Sequence, residues 1–289
     1  MSFQEFGSME HPISWSEFET CVEEDRKEIK QRISGDSISY FDHWIYRGQS
    51  NANWGLKTSL ERYLARVFDV EIDNIDAIDY YRIVAGVVPA VNSLASAKFE
   101  SVDIHVDIRP YFSLPYLEFL YYARHHGFPT PILDWSKSHY VAAYFAFQFA
   151  VKDQPVAIFA FNDNDGDTRG GWVGEPAIHS LGPYVQTHLR HYRQQSIYTY
   201  CAGKVSDRTA FMPHDSAVRA NPRNNKVKKY IISGEMREEV MDKLFRMNIN
   251  SFTLFESEEG LMEYLAYKEI EGARVRHKRL INLSDDTPF

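Results

Sequence analysis

Apolar side chains recur at Phe18, Val22, Ile29 and Ile33, roughly the spacing of one helix face, and Ser16 followed by Glu19 has the form of a capping box. The pattern predicts a first helix from about Trp15 to Ile33. Gly35-Asp36-Ser37 is turn chemistry, and Trp44-Ile45-Tyr46 is a short β-prone run whose end carries Arg47 and Gly48. Asp76 to Phe99 and Leu114 to His126 have helical composition, with Val102 to Val106 between them less decided. Pro129-Thr130-Pro131 forbids continuing the second of these helices. Ser138 to Val151 then reads as a buried helix and Val156 to Phe161 as a buried strand, joined by Lys152-Asp153-Gln154. Further strands are expected at Gln194–Tyr200, Tyr230–Ile232 and Ile249–Phe255, with helices at Glu235–Phe245 and Glu258–Glu269. From Arg274 to Phe289 charges alternate with turn formers, as in a loosely packed tail. With no internal repeat or low-complexity linker, the chain reads as one mixed α and β domain behind an N-terminal helical extension.

Composition narrows the function classes. The 289 residues are 44% apolar and 25% charged, an ordinary globular balance. Thirty-two Lys and Arg against 40 Asp and Glu give a net charge of -8, so any nucleic-acid contact has to come from a local patch. Lys204 to Lys229 is the basic concentration: Lys204, Arg208, Arg219, Arg223, Lys226, Lys228 and Lys229 stand against Asp207 and Asp215. That stretch is either a solvated loop or a phosphate contact for a nucleic-acid or protein partner. Cys21 and Cys201 are too few for a disulfide framework, and with no signal-peptide pattern in Met1 to Pro12 a reducing cytoplasm is the expected location. The longest apolar run, Tyr140 to Val151, is broken by Gln148 and too short for a bilayer, so no membrane segment is expected. The 18 Tyr, 19 Phe and 5 Trp point first to an aromatic core.

Metal chemistry finds little support. Asn162 to Asp167 is rich in Asp and Asn, but its glycine is misplaced for a calcium loop and no glutamate closes it. Adjacent His125 and His126 point roughly 100° apart on a helix, and His188 with His191 lacks a third ligand. No metal site is expected. Two segments instead crowd polar residues into apolar surroundings. In Trp44 to Arg62 an arginine directly follows a buried-looking strand, where it can be held rigidly for bidentate anion recognition. In Ala123 to Ser138, His125, Thr130, Asp134, Ser136 and Ser138 lie among Phe128, Ile132, Leu133 and Trp135, and buried polar groups must pair. Ser136 is equally placed to cap the helix that follows. A phosphoesterase working through Asp134, His125 and His126 with a divalent metal is one reading of that cluster.

Together these segments resemble the successive motifs of the FRG domain family, named for its aromatic-Arg-Gly triplet. The resemblance rests on Tyr46-Arg47-Gly48-Gln49, on Trp54 to Arg62, on His125 to Thr130 with Leu133-Asp134-Trp135-Ser136, on Ala143 to Ala146 and on Arg193 to Thr199. Arg124, Pro131 and Ser196 depart from the family pattern, in which glutamine, arginine and glycine are common at those places. Family membership implies an α+β fold: a single mixed domain, residues 37–272, with a central split β-sheet flanked by helices, an N-terminal helical segment 1–36 and a tail 273–289. It also implies similarity to the ADP-ribosyltransferase superfamily, with NAD as substrate and a macromolecular acceptor, in effector, toxin or phage-defence settings that can include an antitoxin.

On that resemblance Arg47 clamps ribose and phosphate with help from Gly48, Gln49, Arg62 and Thr130. Ser136 or Ser138 holds the nicotinamide ribose, and Tyr46, Trp135 or Tyr144 stacks on nicotinamide. Gln194 or Gln195 takes the place where superfamily enzymes usually carry glutamate, while Asp134 and His125 complete the candidate catalytic set. Glutamine hydrogen-bonds a ribose but brings no negative charge, a loss worth on the order of 10²–10³ in rate. An acid from elsewhere, Asp134 or Glu118, is then required. A module that binds a nucleotide or nucleic-acid end without turning it over is the alternative.

Overall fold

The computed structural model describes residues 3–33, 44–101, 114–162, 174–181, 189–222 and 225–271. Nine strands form one mixed sheet: β1 (Gln4–Phe6), β2 (Trp44–Gln49), β3 (Ile75–Asp76), β4 (Ile132–Ser136), β5 (Val156–Asn162), β6 (Ala177–Leu181), β7 (Ser196–Val205), β8 (Arg208–Phe211) and β9 (Val227–Ile232). Their order is β1-β9-β5-β2-β4-β7-β8-β3, with β6 also on β7. Only β1 and β9 run parallel among these paired strands. β2 is paired with β5 along its whole length, from Trp44↔Asn162 to Gln49↔Ala157, and β4 is paired with β7 along its own. Between β2 and β4, however, the register holds the single pair Tyr46↔Ser136. The sheet parts there into two halves, as the expected split sheet requires.

Helices cover both halves. In β5, Val156, Ile158 and Ala160 face a core with α1 (Trp15–Ile33), α5 (His139–Phe147) and α8 (Arg237–Arg246), while Ala157, Phe159 and Phe161 face a second core with α7 (His214–Ala220). Burial on both sides is why this strand reads as an unbroken apolar run. The other half-sheet packs Tyr198, Tyr200 and Ala202 under α3 (Ala77–Leu94) and α4 (Leu117–His125). Trp15, Phe18 and Val22 of the N-terminal helix α1 are buried in the first core. Helix α5 lies so close to β2 that a Cβ on Gly48 would stand 1.8 Å from the Ala142 carbonyl oxygen. Among the described residues no helix is long and apolar enough to cross a membrane.

Several sequence expectations change. The N-cap of α1 is Ser14, not Ser16: its Oγ accepts from the Glu17 N–H at 3.3 Å and Glu17 Oε2 accepts from the Ser14 N–H at 2.7 Å. Ile249–Phe255 is not a strand; α9 (Ser251–Phe255) forms there because the Asn250 side chain accepts from the Thr253 N–H while Thr253 Oγ1 accepts from the Asn250 N–H. A local cap outweighs the β preference of Ile, Phe and Thr. The strand expected from Gln194 starts at Ser196, because Gln195 turns the chain with φ of 48°. Helix α5 stops at Phe147 and is capped by Ser138, so Ser136 is the last residue of β4 and not a cap. The sequence pattern does not predict helices α2 (Ser59–Phe68), α6 (Leu189–Arg193) and α7 or strands β1, β3, β4, β6 and β8, although Thr58 and Glu61 form a capping box on α2. Helix α10 spans Glu258–Ala266. Gly35–Ser37, Val102–Val106, Asp163–Asp167, His188, Arg223 and the tail lie outside the described residues.

Two predictions follow from this packing. Gly48→Ala must push β2 and α5 apart and should cost at least about 3 kcal/mol in urea unfolding, or abolish soluble folding. His139 is 4% exposed, and burial, with Arg26 and Lys243 adding repulsion, pushes its pKa down to about 3; burial does the same to His214. Both are neutral in the folded chain and protonate near 6.5 when unfolded, so their contribution is complete above that pH and is lost as pH falls towards 3. Unfolding free energy should therefore drop by up to about 1.4 kcal/mol per pH unit for each histidine below pH 6. His139→Phe, which keeps the ring edge against Phe18 and Tyr46, should remove its share of that slope.

Candidate functional site

Alternation along β2 sends Tyr46 and Gly48 towards α5 and leaves Arg47 and Gln49 on the other face, at the parting of the sheet. Arg47 Nη1 donates to the Asp134 carbonyl at 2.7 Å and stands 3.0 Å from Asp134 Oδ1. Arg124, from α4, brings Nε to 3.1 Å and Nη2 to 2.6 Å of the same Oδ1. One carboxylate oxygen thus holds two guanidinium groups across the gap. Burial alone would raise the Asp134 pKa, but Arg124 and Arg47 outweigh it and hold the carboxyl well below the usual range. Its charge is permanent and already matched, which suits a positioning group and not a proton acceptor.

Around this pair lies a cavity of about 590 Å³. Its wall from Ser50 to Lys57 is tied down by the Ala52 N–H on the Pro155 carbonyl and by the Asn51–Trp54 turn, and Gly55 fits because Asp215 lies beneath it, 3.0 Å from where a Cβ would be. Arg62 on α2 donates to the Lys57 carbonyl at 2.6 Å. Burial lowers the Arg62 pKa, as does repulsion from Arg47 and Arg124, so its charge is held there at an electrostatic cost that an anion would relieve. Lining charges are therefore Arg47, Lys57 and Arg62 against Asp134, a cationic hollow in an acidic protein. Gln49 is 7% exposed; its Nε2 donates to the Gly55 carbonyl at 3.2 Å, and among the described residues its Oε1 has no partner, as is true of Arg47 Nε. Buried polar atoms without partners at a cavity wall are what a polar ligand would satisfy.

Of the residues singled out in the sequence, Tyr46, Arg47, Gly48, Gln49, Arg62, Asp134, Trp135, Ser136 and Gln194 line this cavity. Ser136 Oγ donates to the Gln194 carbonyl at 2.7 Å and accepts from the Ser138 N–H, fastening the end of β4 to the turn before β7. Thr130, Ser138, Tyr144, His125 and Gln195 are not among the lining residues. Thr130 bonds Ser59, Ser138 caps α5, Tyr144 is buried in the first core, and His125 Nε2 meets the Tyr198 hydroxyl at 2.8 Å. Gln195 is exposed, with its carbonyl accepting from the Lys137 N–H. Gln194 Nε2 donates to the Leu254 carbonyl. Glu118 is exposed on α4 and away from the lining. Asp134, His125 and His126 do not converge as metal ligands, since two arginines occupy Asp134 and His125 binds Tyr198.

The motifs that carry the resemblance contain Trp54 and Lys57, and Arg124 stands out only as a departure from them, while nothing in the sequence places Phe149 in the same lining. The basic stretch is dispersed: Arg208 pairs with Asp76 at 3.0 Å, Lys229 with Glu5 at 3.4 Å, and Lys228 with Asp25 beneath the Phe6 and Trp44 rings. Strand alternation places Lys228 and Lys229 on opposite faces of β9.

The model of the FRG domain family matches residues 42–154, which hold every cavity residue named above except Gln194. No curated protein and no solved structure matches the chain.

The double clamp predicts its own energetics. Asp134→Ala leaves Arg47 and Arg124 facing each other without a counter-charge, and because Asp134 keeps 43% of its side chain exposed the expected loss is about 2–3 kcal/mol in urea unfolding. Arg124→Gln, which keeps one donor for Oδ1, should cost less than half as much.

Proposed function

We propose that the cavity at the parting of the sheet binds NAD and that the protein transfers ADP-ribose to a macromolecular acceptor. The observation that carries this reading is Arg47, fixed by Asp134 at the mouth of the split and joined by Lys57 and Arg62 in one lining. Three cations in a chain of net charge -8 favour a ligand with several negative charges close together, and the pyrophosphate of a dinucleotide is such a group. Gln49 Oε1 supplies an acceptor for an N–H or O–H of the ligand, and Ser136 a hydroxyl at the end of β4. Family resemblance supplies the reaction: the bond from ribose to nicotinamide breaks, nicotinamide leaves with the electron pair, and the acceptor nucleophile takes the ribose carbon and gives up a proton. In this chain, Arg47, Lys57 and Arg62 would position the phosphates, and fixed geometry of this kind supplies much of such a rate enhancement.

One observation favours a second reading. Among the described residues lining the cavity, Asp134 is the one acid, and two arginines already neutralise it. With no free carboxylate to stabilise positive charge on the ribose, the site would bind NAD stoichiometrically without turning it over.

Calorimetry with NAD and quantification of free nicotinamide, with and without RNA, DNA and cell lysate, separate the two. Transfer predicts release that an acceptor accelerates and that Arg62→Ala lowers at least tenfold while thermal unfolding stays cooperative. Binding near one to one without release establishes the module, and no binding by folded protein refutes both.

A further inference from the structure

The rings that the sequence offers for stacking are closed off: Tyr46 is 0% exposed, Tyr144 2% and Trp135 3%. The open rings on the same cavity are Trp54, 55% exposed, and Phe149, 70% exposed. They come from different parts of the chain, Trp54 from the loop after β2 and Phe149 from the segment after α5. Neither placement serves the core. Single exposed apolar side chains are ordinary, but these two rings share one cavity lining with Lys57 and Arg62, and that combination marks a contact surface. The backbone that carries Trp54 is held in a turn, since the Trp54 backbone N–H donates to the Asn51 carbonyl at 3.2 Å and the Asn53 N–H to Asn51 Oδ1 at 2.8 Å. A pre-set loop loses little backbone freedom on binding.

Charge identifies the partner. The same lining carries Arg62 and Lys57, whose half-exposed ammonium makes only a loose 3.8 Å surface pair with Glu71, in a protein of net charge -8. Aromatic faces interleaved with cations are the requirement of single-stranded nucleic acid, whose unpaired bases stack while its phosphates meet Lys and Arg. A duplex hides its base faces and could not use Trp54 or Phe149. Of the basic residues from Lys204 to Lys229, Arg208, Lys228 and Lys229 are engaged in ion pairs.

We propose that Trp54 and Phe149, with Lys57 and Arg62, form a binding site at the cavity mouth for the bases and phosphates of single-stranded nucleic acid. As a binding site this does not depend on the NAD reading above, with which it shares Lys57 and Arg62. The test therefore omits NAD. Fluorescein-labelled uridine and deoxythymidine oligonucleotides of about 12 residues are titrated with the full chain, and anisotropy is followed together with tryptophan quenching. Single strands should bind more tightly than a duplex of the same length, and added salt should weaken binding. Trp54→Ala and Phe149→Ala should each weaken it about 5- to 100-fold, Trp54→Tyr should retain most of it, and Lys204→Glu with Lys226→Glu should change it less than twofold. No binding of either single strand by the folded wild-type chain overturns the proposal. So does a loss in the Lys204/Lys226 variant with none in Trp54→Ala or Phe149→Ala. NAD calorimetry on the wild-type chain is read separately, so failure of one reading leaves the other standing.

Discussion

A single carboxylate oxygen, Asp134 Oδ1, binds Arg47 from one half of the sheet and Arg124 from the helix over the other half. Where β2 and β4 separate, main-chain pairing falls to Tyr46↔Ser136, and charge takes over the work that hydrogen-bonded ladders do elsewhere. The carboxylate offsets the repulsion between the two guanidinium groups, and they in turn hold its pKa well below the usual range. Opening of the sheet and fixing of the arginine are therefore one event. The cavity exists because the strands part, and its central cation is oriented by the group that bridges the parting.

Packing beneath the cavity follows from the same economy of space. Gly48 lets α5 approach β2 closely, which brings Ala142, Phe145 and Phe149 to one side of the opening. Gly55 lets the opposite wall descend onto Asp215, and Gln49 ties that wall to the sheet through the Gly55 carbonyl. Beyond the wall, the Glu61 side chain accepts from the Thr58 N–H and fixes the start of α2, from which Arg62 emerges. Burial raises the pKa of both Glu61 and Asp215, opposed in each case by backbone hydrogen bonds. The loop is thus anchored by polar groups from below while its upper side carries Trp54 and Lys57 to solvent. A rigid wall with exposed rings and cations is suited to ligands that are flat and negatively charged.

How much of this was legible in sequence depended on the range of the physics involved. Helix α1 is legible through periodicity, α3 through helical composition and β5 through an unbroken apolar run, all of which need only neighbouring residues. Even there Ser14 displaced Ser16 as the cap, because two serines two apart offer the same chemistry and only the helix start chooses between them. Ile249 to Phe255 looked like a strand because its composition is β-prone, yet the Asn250–Thr253 cap made it a helix. Strand β4 was hidden because a five-residue segment containing Asp and Ser has no apolar alternation to show.

The amino-acid sequence alone determined that Arg47, Gly48 and Asp134 would matter, since an arginine at a buried strand end and a polar block among Leu and Trp demand partners. It determined the mixed α and β class for the same reason, through patterns of burial that any compact fold must respect. Which partners those residues would take belonged to the tertiary structure. Asp134 met two arginines from positions 47 and 124, Thr130 and Ser138 turned to local tasks, and His125 went to Tyr198. Trp54 and Phe149 reached one opening from 95 residues apart in sequence. Side-chain type sets what an atom can bind; only the folded backbone decides which atoms come within 3 Å of it.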